Sequence, residues 1–181
     1  MGRIGIFGKF WLNRFSSPAS ERPVVRQVIS QRPTGILELG LGTLERSEKI
    51  VRLASRVSES PVHYVGLDRF EARQPGDPPG VTLKEAHRRL HDLGRIQLVP
   101  GNADSSLSRL CNHLGHFDLI LISAATDQQN LTRCWFFLQR LIRPDTTLLQ
   151  EAPGEDGGLW RPVPHERVND LASQTLLRRA G

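Results

Sequence analysis

Residues 36–42 read Ile36-Leu37-Glu38-Leu39-Gly40-Leu41-Gly42. A short apolar run carries one acidic residue and ends in two spaced glycines. A segment of helical spacing follows, and then a second apolar run, Val62-His63-Tyr64-Val65-Gly66-Leu67, ends in Asp68. This order of strand, glycine turn, helix and acid-terminated strand belongs to a nucleotide-type site on the rim of a parallel sheet. Glycine lets the backbone turn sharply and come close to a ligand. An acidic residue ending the next strand is suited to ribose hydroxyls.

Working outward, apolar runs at 36–39, 62–67, 95–99, 117–123 and 146–150 read as strands. Between and after them, helical spacing covers about 44–57, 83–93, 104–113, 128–142 and 166–179. Thr82 is in position to cap the second of these helices, with Glu85 completing a capping box, and Gly94 to end it. Asp104 or Ser105 is expected to cap the next. Residues 71–80 hold three prolines and two glycines and read as loop. Strands alternating with helices imply βαβ units, right-handed crossovers and a parallel sheet. In such sheets ligands sit beyond the carboxyl ends of the strands, where the strand order reverses. Gly40, Gly42, Asp68, Asn102 and Ser123 all fall at such ends.

The 181 residues suffice for one domain with a real core. No apolar run approaches the roughly 20 residues of a membrane span, and no secretory signal is evident. Cys111 and Cys134 are too few and too far apart for a disulfide framework, so buried, inert thiols in a cytoplasmic protein are expected. Residues 1–34 carry six basic residues against Glu21, a net +5 that equals the net charge of the whole chain. The high pI therefore belongs to this N-terminal segment, and the remainder balances to zero. Within the segment, Ile4, Phe7, Trp11 and Phe15 recur at helical spacing among Arg3, Lys9 and Arg14. Such a helix suits a nucleic acid, a membrane surface or another acidic partner, or else packs on its own domain. A second helix runs from about Glu21 to Gln31, with Pro23 in its first turn. The expected division is a basic helical segment over 1–34 and an α/β domain over 35–181.

Over about residues 35–151 the chain resembles the class I S-adenosylmethionine-dependent methyltransferases. The likeness rests on the order and spacing of Leu37–Thr43, Val65–Asp68, Val99–Ala103 and Phe117–Ser123. It implies a Rossmann-like, doubly wound, mostly parallel sheet in three α/β/α layers, with a reduced C-terminal part. It implies S-adenosylmethionine as cofactor. Glu38, Gly40 and Gly42 would line its methionine part, and Asp68 would take the ribose hydroxyls. Asn102 and the Ala103 amide would face the adenine, with Asp104 as the fallback, and Arg69 and Phe70 would flank it. Three departures stand out. Leu44 replaces the third glycine of the loop, where it would crowd the cofactor or shift the helix start. Ser123 replaces the carboxylate that metal-dependent members keep, and a neutral hydroxyl is a poor ligand for a hard cation, so no metal is expected. After the fifth strand there is room for at most one short strand near 159–163, where the family usually adds two.

The residues name no catalytic group and no methyl acceptor. Asp127 reads as a helix cap or a substrate contact. His113 and His116 fall on the opposite rim, and His87 and His91 lie one helical turn apart without a third ligand. His63 reads as a sheet residue, Trp135, Phe136 and Phe137 as core, and His165 as able to reach the substrate side. Three functions fit: a metal-independent methyltransferase, a non-catalytic domain of that fold acting through a partner, and a nicotinamide-dependent oxidoreductase. The last fits least, because the loop lacks its third glycine.

Overall fold

The computed structural model describes residues 19–126, 128–152 and 158–180. The basic helix expected over 3–15, the cap role of Asp127 and most of the 154–158 loop lie outside the described residues. After a 3₁₀ turn at Ala19–Glu21 the chain runs α1 (Arg22–Gln31), β1 (Gly35–Leu39), α2 (Glu45–Val57), β2 (His63–Asp68), α3 (Leu83–Leu90) and β3 (Arg95–Pro100). It continues as α4 (Ala103–Leu114), β4 (Leu119–Ile122), α5 (Gln128–Leu138), β5 (Thr147–Glu151), β6 (Trp160–Pro162) and α6 (His165–Ala180).

The strands form one six-stranded sheet in the order β3-β2-β1-β4-β5-β6. All pairs are parallel except β5 with β6. The strand order reverses between β1 and β4, which opens a crevice at their carboxyl ends. Side chains alternate across the sheet. Ile36 faces a core shared with Val24, Val28, Ile50, Ala54 and Leu90 of α1, α2 and α3. Leu37 and Leu39 face a second core with Leu107, Leu131, Leu138 and Val168 of α4, α5 and α6. Helices on both faces give the three layers expected from the alternation. The helix α1 packs Val24, Val25 and Val28 into the first core.

Several boundaries differ from the sequence reading, each for a local reason. Helix α3 stops at Leu90, and a 3₁₀ turn at His91–Leu93 carries the chain to Gly94. A Cβ at Gly94 would stand 2.7 Å from the Val62 carbonyl oxygen, so a side chain does not fit there. Thr82 caps α3 as expected, its hydroxyl accepting from the Glu85 amide at 3.1 Å. Neither Asp104 nor Ser105 caps α4. The cap position is Asn102, whose side chain is turned away to Arg69. Beyond β5, the single short strand β6 pairs antiparallel through Trp160 with Glu151 and Arg161 with Gln150. No helix among the described residues is long and apolar enough to cross a membrane.

Candidate functional site

At the carboxyl ends of β1 to β4 lies a cavity of about 330 Å³. Its wall contains Gly40 after β1, Asp68 and Arg69 at the end of β2, Asn102 and Ala103 after β3, and Ala124 after β4. Arg73, Asp77 and Pro78 close it from the loop after β2. The sequence thus brings five of its expected site residues to one cavity: Gly40, Asp68, Arg69, Asn102 and Ala103. Glu38, Gly42 and Ser123 are outside its wall.

Gly40 has φ +78°, a left-handed conformation, and a Cβ there would come within 2.8 Å of the Thr126 hydroxyl oxygen. Only glycine lets the chain pass at this point. Asp68 is buried and heavily bonded. Its Oδ2 accepts from the Leu41 amide at 2.8 Å and the Gly42 amide at 3.2 Å. Its Oδ1 accepts from the Phe70 amide at 2.9 Å and pairs with Arg73 at 2.7 Å. The end of β2 therefore fastens the glycine loop of β1 to itself. Arg69 donates to the Asn102 side-chain oxygen at 2.8 Å and forms a two-point contact with Asp77 at 2.8–2.9 Å. At Asp77 the amide of Gln74 and the Arg69 guanidinium hold the carboxyl below its usual range. No side-chain cap closes the first turn of α4, which leaves its amides for a ligand.

The residues outside the wall have their own partners. Glu38 points to the α1–α3 side of the sheet, fully buried. It accepts from the Tyr64 hydroxyl at 2.6 Å and from Arg46, in the first turn of α2, at 2.9 Å. Arg46 also donates to the Gly40 carbonyl at 3.0 Å, lies 3.5 Å from Glu151 and stands over the Trp160 ring at 4.9 Å. Burial alone would lower the pKa of this guanidinium, but Glu38 and Glu151 outweigh it and raise it. Burial, reinforced by Glu38, pushes the Tyr64 hydroxyl well above its usual range, so Tyr64 is a neutral donor. Ser123 donates to Glu151 at 2.9 Å, and the same oxygen accepts from the Ala124 amide at 3.0 Å.

Among solved structures, an O-methyltransferase from Bacillus cereus in complex with SAH is similar at a TM-score of 0.56. It shares 18% identity over 96% of this chain and 77% of its own. The O-methyltransferase TomG of Streptomyces achromogenes, involved in tomaymycin synthesis and in complex with SAM, aligns at 0.54. It shares 14% identity over 86% of this chain and 65% of its own. This chain has the class I methyltransferase fold. No family model matches the sequence, and no curated protein matches it.

Within the methyltransferase fold, the departures take physical form. Leu44 does not crowd the cavity. It adopts φ +70° at the cap of α2 and turns its side chain fully into the first core. Phe70 also lies in that core, at φ +48°, and does not flank the cavity. His165 does not reach the substrate side; its Nε2 lies 2.8 Å from the Thr146 carbonyl, just before the amino end of β5. His113 and His116 are exposed at the amino rim, and Trp135 and Phe137 are buried core. Cys111 and Cys134 are free and buried, and burial pushes the Cys134 thiol up to about 12. Among the described residues no three His, Cys, Asp or Glu groups converge as a metal site. Sequence reasoning missed Arg73, Asp77, Tyr64 and Arg46. Arg73 and Asp77 sit in a Pro/Gly-rich loop without periodicity, and the other two are linked only by tertiary contact.

Proposed function

We propose that the chain is an S-adenosylmethionine-dependent methyltransferase that works without a metal. The observation that carries this reading is the convergence of Gly40, Asp68, Asn102 and Ala103 on one cavity at the switch point of this fold. The chemistry of the wall suits the cofactor. Gly40 offers close backbone approach, Asp68 a carboxylate for ribose, Asn102 an amide oxygen and Ala103 an amide at a helix start. Glu38 and Gly42 act from behind the wall. Glu38 holds Arg46 against the Gly40 carbonyl, and Gly42 holds Asp68. When bound, S-adenosylmethionine supplies an electrophilic methyl group on a sulfonium, and the protein supplies alignment. Ser123 supports metal independence: it is a hydroxyl already given to Glu151.

A second reading has its own support. The Arg73 guanidinium occupies Asp68 at 2.7 Å, as in a domain that has given up its cofactor and acts through a partner. One titration separates the two. In calorimetry of the full chain, the methyltransferase reading predicts micromolar binding of S-adenosylmethionine and S-adenosylhomocysteine, and none of NAD. Absence of binding by both sulfur ligands leaves the non-catalytic domain, and preference for NAD overturns both.

A further inference from the structure

A second cavity, of about 580 Å³, lies at the outer edge of the sheet between β5, β6, α5 and α6. Leu148 faces the α4–α6 core, while Leu149 and Trp160 face the other. Alternation therefore turns Gln150 and its cross-strand partner Arg161 toward α5 and α6, and both line this cavity. Leu131 and Trp135 of α5 and Leu171 of α6 give it apolar walls. Arg161 and Arg167 are exposed on its lining, and among the described residues their guanidiniums have no ion-pair or hydrogen-bond partner. Two unpaired guanidiniums beside apolar walls recognise an apolar body bearing an anionic group.

Glu151 lines the cavity as well. Its Oε2 is held by Ser123 and by the amide of Ala124, which belongs to the wall of the first cavity. A single hydrogen-bonded contact thus joins the walls of the two cavities. By the same alternation the Glu151 carboxylate turns to the opposite face, where Arg46 lies 3.5 Å away, so the charge facing this cavity is that of Arg161 and Arg167.

We propose that this second cavity is a binding site for an apolar carboxylic acid. The carboxylate of the ligand pairs with Arg161 and Arg167, and its apolar body lies against Leu131, Trp135 and Leu171.

The probes are 6-hydroxy-2-naphthoate and 2-naphthol, which share a ring system and differ in the carboxylate. Calorimetry on the full chain should show the naphthoate binding at least tenfold more tightly than the naphthol. The Arg161→Gln/Arg167→Gln double variant should erase that preference and leave S-adenosylhomocysteine binding within twofold. The single variant Arg88→Gln, an exposed arginine of α3 on the other face of the sheet, should change neither. Equal binding of the two probes overturns the site, as does a preference that survives the double variant or falls equally with Arg88→Gln.

Discussion

Asp68 has four donors in contact, and a carboxylate offers about four lone-pair sites. Three of the donors are backbone amides fixed by the fold. The fourth, Arg73, is a side chain in a loop and is the one that can yield to a ribose hydroxyl. Its guanidinium also fills the space beside Gly80, where a Cβ would stand 1.9 Å from Cζ. Arg73→Ala should therefore tighten S-adenosylhomocysteine binding about tenfold, roughly 1.4 kcal/mol; equal or weaker binding in calorimetry contradicts the competition. Leu44 poses a different balance. Its left-handed backbone costs about 1–2 kcal/mol, while emptying a buried leucine site costs about 2–5 kcal/mol. Burial wins, so Leu44→Gly should destabilise the fold by about 1–3 kcal/mol in urea unfolding, although glycine relieves the backbone; a gain in stability would reverse this ranking. The place of Asp68 was legible in the sequence because an acid closes an apolar run. Its rival Arg73 was not, because nothing in a Pro/Gly-rich loop tells which arginine folds back.

At the scale of elements, the sheet is tied at its amino edge by Asp118, just before β4. Its Oδ2 accepts from the Thr34 and Gly35 amides at 2.8 and 2.9 Å and from the Thr34 hydroxyl at 3.0 Å. Its Oδ1 meets Arg143 at 2.8 Å, so one carboxylate joins the starts of β1 and β4 to the turn before β5. Burial alone would raise its pKa, but the hydrogen bonds from Gly35 and Thr34, with Arg143, outweigh it and hold the carboxyl below 3.8. A folded pKa below the unfolded one contributes stability above the unfolded value. That contribution is lost as pH falls below 3.8 through the folded pKa. Asp118→Asn should be less stable than the parent in urea at pH 7, with the gap narrowing toward pH 3; a gap independent of pH contradicts this role. Strands and helices were legible because periods of 2 and 3.6 survive in the apolar positions. Helix ends were read less well: Asn102 gives its side chain to Arg69 across the cavity rather than to its own helix, and that choice is made by tertiary contact.

For the whole molecule, the layered sheet follows from five apolar runs separated by amphipathic helices, and the switch point follows from their order. The site followed with it wherever a residue ends a strand, as Gly40, Asp68 and Asn102 do. It was hidden wherever two elements must meet, as Arg46 of α2 meets Glu38 of β1 and Glu151 of β5. That ionic group joins the buried Glu38 to the partly buried Arg46 and Glu151 and carries two carboxylates against one guanidinium. It anchors the rim on the side away from the cavity, which is why Glu38 supports the glycine loop without lining it. The central claim is that the cavity at the switch point binds S-adenosylmethionine through Asp68. The most direct measurement is calorimetric titration of the parent chain and of Asp68→Asn with S-adenosylhomocysteine, both checked for folding by circular dichroism. The account predicts micromolar binding by the parent and a loss of about 1–3 kcal/mol in the folded variant; equal affinity of the two chains, or no binding by the parent, would contradict it.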